Sequence, residues 1–384
     1  MRDNGIKKKA AALVMIYNGI EGYPPTLNAI TILSNVYNEV VVLKLENFDG
    51  SDFKFKDNVK FYTITHSAKT FGGRIVVYSS FIRLYVKLIK QYSFDLILFY
   101  DAIAAMTVYT AYRFLIPKPV LWYHNHDVPI YPGINKLRLL YWGAYFQTRL
   151  MKYLDIFSLP SEDRLKYFDV STFKGKIEII PNYPAKSLYH GVISSIQTAK
   201  QVKIIFQGTL DTGRGIEEII NILSTQIAGR DLKLILKGVV NPEYKSRLLA
   251  LIADRKVDHQ VEFYGFGPYD LLPEFTSACH IGIAIFTKSD IMNSTLGSAS
   301  NKVYEYMACG LPFIYYDSPH FNKHFSKMAW AIPTDLSKES LVNSIEKIID
   351  QYEELSVAAK NDFLLNRNYE NVFTSVVNNT TKVS

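Results

Sequence analysis

Ser298-Ala299-Ser300-Asn301-Lys302-Val303-Tyr304-Glu305-Tyr306-Met307-Ala308-Cys309-Gly310-Leu311-Pro312 runs directly into Phe313-Ile314-Tyr315-Tyr316. Small polar residues lead in, apolar Val303, Met307 and Ala308 follow, and Gly-Leu-Pro stops the pattern ahead of strand-forming residues. The stretch reads as loop, short helix, turn and buried strand. Ser298 and Ser300 are suitable N-cap residues. Such a loop aims backbone N–H groups and the positive end of the helix dipole at whatever lies in front, and a phosphate suits that position. Glu305 falls within the first two turns, within reach of the ribose of a nucleotide whose phosphates occupy the helix start. The plain alternative is a solvated or capping carboxylate in an ordinary αβ unit.

Strand-like runs recur upstream of this stretch. They are Ala11 to Tyr17, Glu39 to Leu43, Lys60 to Thr63, Asp95 to Tyr100, Val120 to Tyr123 and Ile156 to Leu159, then Val202 to Phe206, Leu232 to Lys237, Val261 to Tyr264 and Ile281 to Phe286. Helical patterns lie between several of them, at about Thr26 to Tyr37, Ile75 to Gln91, Asn135 to Lys152 and Ile216 to Leu223. This alternation predicts an α/β fold built on parallel doubly wound sheets. Residues from about Ala185 to Lys200 are polar, small and poorly periodic, as in a linker. The alternation restarts after them, which divides the chain into Rossmann-like domains at 1–185 and 186–366.

A chain of 384 residues has room for two such cores. With 48% hydrophobic and 21% charged residues it belongs with globular rather than disordered chains. No apolar run approaches the ~18 residues of a membrane helix. Cys279 and Cys309 alone offer neither a disulfide framework nor a zinc cluster, so a reducing cytoplasm is the expectation. Lys7-Lys8-Lys9 before the first apolar run reads as the entry to a buried strand, because no small-residue cleavage site follows before Asn18-Gly19. Residues 1–190 hold 24 Lys and Arg against 15 Asp and Glu, so the net charge of +7 belongs to the first half. A basic half suits anionic lipid, nucleic acid or a phosphorylated acceptor.

Four further stretches carry chemistry. Asn18-Gly19-Ile20-Glu21-Gly22 joins the first strand to the first helix, where Gly19 and Gly22 would let a phosphate or sugar approach the backbone; any αβ turn has the same form. Trp122-Tyr123-His124-Asn125-His126-Asp127 follows a strand end, where open α/β sheets bind ligands. His124 and His126 are both candidates there, with Asp127 beside them, and no further Cys or His cluster completes a metal site. Gly208-Thr209-Leu210-Asp211-Thr212-Gly213-Arg214-Gly215 precedes a helix, and an arginine at a glycine-flanked helix start grips a diphosphate through charge-assisted bonds. Gly265-Phe266-Gly267-Pro268 would let a planar base lie against the backbone at Phe266 and Gly267. Separately, Arg83, Lys87 and Lys90 share one stripe of helix 75–91, and Arg138, Trp142, Tyr145, Arg149 and Lys152 share one stripe of helix 135–152. Basic and aromatic groups in such a stripe suit an anionic membrane surface, and equally a solvated face beside a core face.

The run Asn-Lys-x-x-Glu-Tyr-Met-Ala-x-Gly-x-Pro from Asn301 to Pro312 resembles the nucleotide-sugar site of retaining glycosyltransferases of the GT-B fold, in the large fourth family (glycosyltransferase group 1). The resemblance implies two Rossmann-like domains facing a cleft, with an acceptor-side first domain and a tail, 367–384, that packs back onto it. The second of the family's two donor-site glutamates matches Glu305, which implies bonds to the ribose hydroxyls. The first falls at Gly297, where Ser298, Ala299, Ser300, Asn301 and Lys302 would supply donor contacts instead. Of the family's two phosphate cations, Arg214 matches the second, and Thr209, next to Gly208, stands at the first. The family's hexose-contacting histidine corresponds to His126, with Asp127 after it, or to His124. The catalytic set implied is thus His126, Arg214 and Glu305.

These expectations describe a metal-independent enzyme without a cofactor, consistent with the absence of Asp-x-Asp from the chain. It would move a sugar from a nucleotide donor, such as a UDP- or GDP-sugar, to a glycan or lipid-linked acceptor. The implied setting is bacterial surface polysaccharide synthesis at the inner membrane face, with no nucleic acid as partner. Fixed positive potential at the departing diphosphate would be the protein's main contribution. Two rivals stand beside this: a catalytically weakened homologue acting as a partner subunit, prompted by Gly297 and Thr209, and a nucleic-acid glucosyltransferase using the basic half.

Overall fold

The computed structural model describes residues 9–46, 54–65, 71–128, 135–196 and 199–380. Lys7 and Lys8 of the basic entry, residues 197–198 of the expected linker and residues 381–384 of the tail lie outside them. The chain forms two compact units, Met1–Pro181 with Val372–Ser384, and Asn182–Asn371.

In the first unit the described strands are β1 (Lys9–Ile16), β2 (Tyr37–Leu45), β3 (Val59–Ile64), β4 (Leu96–Tyr100), β5 (Val120–His124), β6 (Ile156–Leu159) and β7 (Lys176–Ile179). They form one sheet in the order β3-β2-β1-β4-β5-β6-β7, parallel at every pairing. Near-continuous Val, Ile and Leu in β1, β2 and β4 is what a parallel strand covered on both faces requires. Helix Phe71–Gln91 covers one face, with Val77, Phe81, Tyr85 and Leu88 packed against the sheet. Its basic residues Arg83, Lys87 and Lys90 are exposed.

The second unit repeats the plan with β8 (Gln201–Gln207), β9 (Asp231–Lys237), β10 (Val261–Tyr264), β11 (Ile281–Ala284), β12 (Phe313–Tyr316) and β13 (Ala331–Thr334), ordered β10-β9-β8-β11-β12-β13 and again parallel. Along β8, Ile204 and Phe206 belong to one apolar layer and Ile205 to the other, so both faces of the sheet are covered. Each sheet reverses its strand order once, between β1 and β4 and between β8 and β11. At such a reversal the neighbouring loops leave in opposite directions and open a crevice beyond the carboxyl ends of the strands.

The expected strands and helices are present, with shifts at their ends. The helix expected from Asn135 begins at Leu139, because residues 135–138 form a turn in which Asn135 Oδ1 accepts the Leu137 N–H (2.9 Å). The predicted stripe of Arg138, Trp142, Tyr145, Arg149 and Lys152 is exposed throughout, and the Arg149 guanidinium lies 3.6 Å from the Tyr145 ring centre. Residues read as a linker instead fold into the second unit. Tyr189 and Ile196 are buried there, and the Lys360 ammonium donates to the carbonyls of Tyr189 (2.7 Å), Val192 (2.6 Å) and Ala308 (2.7 Å). Sparse periodicity concealed these two apolar anchors, spaced too irregularly to make a helix face. In the first unit, the tail residue Phe373 stacks on Trp122, ring centres 4.9 Å apart. No described helix is long and apolar enough to cross a membrane.

Candidate functional site

In the second unit the crevice lies beyond β8 and β11, and the expected site residues gather there. Gln207 closes β8 and Gly208 follows with φ +119°, a backbone angle that only glycine adopts without strain. Gly208 N–H donates to the Lys237 carbonyl (2.9 Å) and Gly238 N–H to the Tyr264 carbonyl (2.8 Å), which fastens the turns after β8, β9 and β10 side by side. Gly208 and Thr209 are exposed. A Cβ on Gly208 would stand 3.3 Å from the Lys302 Nζ, so the missing side chain is what leaves room for that ammonium.

Arg214 follows a left-handed Gly213 and precedes helix Ile216–Ile222. Its guanidinium carbon lies 4.6 Å from the Phe286 ring centre, and Nη1 donates to Asn293 Oδ1 (3.2 Å). The buried Nε has no hydrogen-bond partner among the described residues. Burial holds the Arg214 pKa below its ordinary value, against the opposing pull of Asp211 and Asp290. Lys302 approaches the same ring from helix Asn301–Ala308, its Nζ 5.0 Å from the Phe286 centre and 4.0 Å from that of Phe206. Two cations thus lie within 5.0 Å of the centre of one aromatic ring.

Glu305 lies on the same helix and is buried, which excludes a solvated carboxylate. Gln207 Nε2 donates to its Oε2 (2.5 Å), and Thr276 Oγ1 donates to Gln207 Oε1 (2.9 Å), so the amide is held with its N–H toward the acid. Burial pushes the Glu305 carboxyl up to about 7, although Gln207 and Lys302 oppose the shift. Tyr306 fixes the helix in place: its hydroxyl accepts the Gln207 backbone N–H (3.2 Å), and its ring fills the space beside Gly282.

The loop ahead of this helix differs from the expectation. Ser300 occupies the N-cap position without a side-chain cap bond, and Ser298 lies in the single turn Gly297–Ala299. The loop is braced from elsewhere: Asn182 N–H donates to the Ser298 carbonyl (3.0 Å) and its side-chain amide to that of Ala299 (2.8 Å). The Asn301 Oδ1 is buried without a hydrogen-bond partner among the described residues. Gly297 has φ +38°, in the left-handed region, so a glutamate at this position would be strained. At the edge of the group, Lys237 Nζ donates to the Gly265 carbonyl (2.9 Å) and stands 3.1 Å from where a Cβ on Gly267 would be; Phe266 is exposed.

The first unit has its own cluster beyond β4 and β5. The His126 ring stacks on Tyr100 (centres 4.7 Å apart, 16° between planes) and meets Tyr23 at 4.8 Å. Asp101 accepts the His126 backbone N–H (2.9 Å) and faces Nδ1 (3.2 Å), and Thr26 Oγ1 lies 3.4 Å from Nε2. Asp101 achieves this with φ +64°, unusual for a non-glycine residue. Buried Arg164 donates to the His126 carbonyl and ion-pairs with Asp127 (3.8 Å). His124 Nδ1 meets Ser158 Oγ (2.8 Å), and burial holds its pKa well below the usual histidine value. Gly22 is open, whereas a Cβ on Gly19 would collide with the Glu21 carboxylate.

Sequence reading missed Gln207, Asn293, Asp101 and Arg164. Gln207 and Asp101 did carry a signal, each being the polar residue that ends an otherwise apolar strand run. Asn293 lies in the one-turn helix Ile291–Ser294 and Arg164 in the 3₁₀ helix Glu162–Tyr167, both too short to carry one.

Residues 194–362 match the family model for glycosyl transferases group 1. No curated protein sequence matches the chain. Among solved structures, a glycosyltransferase from Rickettsia africae is similar at TM-score 0.72 and 13% identity, over 98% of each chain. Sucrose-phosphate synthase from Thermosynechococcus elongatus gives 0.69 and 11%, over 98% of this chain and 99% of that one. HepE of Anabaena, in complex with UDP and glucose, gives 0.66 and 15%, over 97% and 100%. Two Rossmann-like parallel-sheet units and these likenesses define a GT-B fold, and residues 194–362 of its second unit resemble the glycosyl transferases group 1.

Proposed function

We propose that the protein is a retaining, metal-independent glycosyltransferase that moves a hexose from a nucleoside-diphosphate sugar to a glycan or lipid-linked acceptor. The observation that carries this reading is the pair Arg214 and Lys302, two cations on the Phe286 ring beside an open glycine turn, with buried Glu305 on the helix that supplies Lys302. As the anomeric bond breaks, negative charge grows on the β-phosphate, and fixed cations in a poorly solvated position stabilise it. Glu305, held by Gln207, would accept from the ribose hydroxyls. Ser298 to Asn301 would supply further donor contacts, Phe266 and Gly267 would lie against the base, and His126 with Gly19 and Gly22 would address the hexose. UDP is the favoured nucleotide, since the similar Anabaena HepE was solved with UDP and with UDP-glucose.

The exposed basic-aromatic stripe of helix Leu139–Leu150, with Leu137 and Leu140 also exposed, favours an acceptor presented at an anionic membrane surface, and so a cytoplasmic, peripheral role in surface-glycan synthesis. A nucleotide binding only the native state raises its melting point. The test is a thermal-shift panel of UDP, GDP, ADP and their sugars, followed by transfer to glycan and lipid-linked acceptors. A shift with UDP and a UDP-sugar is expected, whereas a chain silent toward all of them would favour the partner-subunit reading.

A further inference from the structure

We propose that Lys302 is the second cation of the diphosphate subsite and that donor binding is coupled to protonation of its side chain. This rests on the function proposed above and specifies how its phosphate site works. The Lys302 Nζ lies over Phe206 and Phe286, where a Cβ on Gly208 would nearly touch it. It has no hydrogen bond and no carboxylate at ion-pair distance among the described residues. Two phenyl faces attract a cation but replace few of the hydrogen bonds an ammonium makes in water. The group is therefore positioned for an acceptor that the folded chain does not supply.

The charges around it explain why protonation is not free. Arg214, across the Phe286 ring, repels the ammonium, and Glu305 on its own helix attracts it. Beyond Arg214, Asp211 is committed to Lys288 and Asp290 to the Asn293 backbone N–H. Thr209, exposed next to Gly208, brings no charge. Burial and then Arg214 together push the Lys302 amine down to about 7. At pH 8, one unit higher, roughly one empty molecule in ten carries the ammonium. A diphosphate placed between Arg214 and Lys302 favours the charged form, so binding takes up a proton from solution. Above pH 7 the apparent affinity falls with the charged fraction.

The experiment is calorimetric titration of the full chain with UDP, GDP, ADP and inorganic pyrophosphate at pH 6 and pH 8, in two buffers of different ionisation enthalpy. Wild type, Lys302→Arg and Lys302→Met are compared, with melting curves confirming that each is folded and Lys302→Gln as a second neutral variant. At pH 8 the wild type should take up close to one proton per ligand. Lys302→Arg, permanently charged, should take up almost none and bind up to about tenfold more tightly than wild type at pH 8, yet similarly at pH 6. The neutral variants should lose at least tenfold at pH 6. Unchanged affinity in Lys302→Met, while Arg214→Met binds poorly, would overturn the role of Lys302 and leave the proposed function intact. Absence of binding by any of the four ligands to the wild type would overturn both.

Discussion

The two clusters beyond the strand ends differ in how fully their charges are matched. In the first unit, His126 has partners at both ring nitrogens, Arg164 has Asp127 and the His126 carbonyl, and His124 stays neutral by burial. In the second unit, Arg214 has one bond to a neutral amide, Lys302 rests on phenyl rings, and the buried Glu305 carboxylate accepts from the neutral Gln207 amide, with the Tyr269 hydroxyl acting on it as well. A buried charge without a counter-charge is costly, and a ligand that supplies the missing partner recovers that cost as binding free energy. The charges of the first unit are therefore matched within it, although His124 Nε2 and Asn125 Oδ1 are buried without hydrogen-bond partners among the described residues, and the second unit holds charge that the proposed diphosphate would match.

The comparison breaks most visibly at Arg214. A charge-assisted hydrogen bond contributes ~1.5–3 kcal/mol, and a diphosphate would accept at least one from this guanidinium. Arg214→Ala is expected to weaken UDP binding by about tenfold to a few hundredfold while leaving the melting temperature of the empty protein unchanged or higher. His126→Ala should do the reverse, lowering the melting temperature because Asp101 and the Tyr100 ring lose their partner, with little change in UDP affinity. Measuring both quantities for both variants checks this. An Arg214→Ala protein destabilised without ligand would mean that its charge is matched after all.

Glu305 sharpens the contrast with a smaller effect of opposite sign. Its folded-state pKa is raised to about 7 from an ordinary 4.5, so the fold disfavours the ionised form. The penalty is absent below pH 4.5, grows between 4.5 and about 7, and is fully present at pH 8. Glu305→Gln keeps an acceptor for Gln207 and removes the ionisation. Denaturant titration at pH 8 should find it more stable than wild type by ~2–3 kcal/mol, with no gain at pH 4.5. Donor affinity should fall in the same variant, as expected where a site is built at the expense of stability.

Much of this was legible in the chain. Apolar runs of strand length alternating with helical patterns announced two parallel sheets, and Asn301 to Pro312 announced a helix, which the structure places with Lys302 and Glu305 beyond the end of β8. The legible parts are local: periodicity, glycines at strand ends, a helix stop. Long-range contacts were not legible. Nothing near Asn182 in sequence indicates that it braces the backbone 116 and 117 positions away at Ser298 and Ala299. Nor does a list of residue types reveal that Ser300 leaves its cap unmade, or that Gly297 sits at a backbone angle hostile to the glutamate expected there. Stripe reading correctly placed Trp142 and Tyr145 on the exposed face of their helix, but exposure alone does not distinguish lipid from water.

The smallest effect concerns acid, and it separates the two units by sign. His124 in the first unit and His280 in the second are both depressed by burial, the latter to about 4. A histidine whose folded pKa is depressed contributes stability above its unfolded pKa of ~6.5 and loses it as pH falls below that, by up to ~1.4 kcal/mol per pH unit. Glu305 acts oppositely over the same range, since the folded carboxyl binds its proton before the unfolded one does. Between pH 6.5 and 5 the two terms in the second unit, His280 and Glu305, should nearly cancel, while His124 in the first unit is opposed by Asp127, whose carboxyl burial raises from a much lower starting point of 3.8. Thermal unfolding followed across this range should show an acid-sensitive first unit and a nearly flat second one. His124→Phe should flatten the first, although it loses the Ser158 contact at every pH, and Glu305→Gln should make the second fall like the first. If instead Glu305→Gln left the second unit's acid response unchanged, Glu305 would not be titrating near neutrality, and the unmatched charge assigned to this site would be smaller than its burial implies.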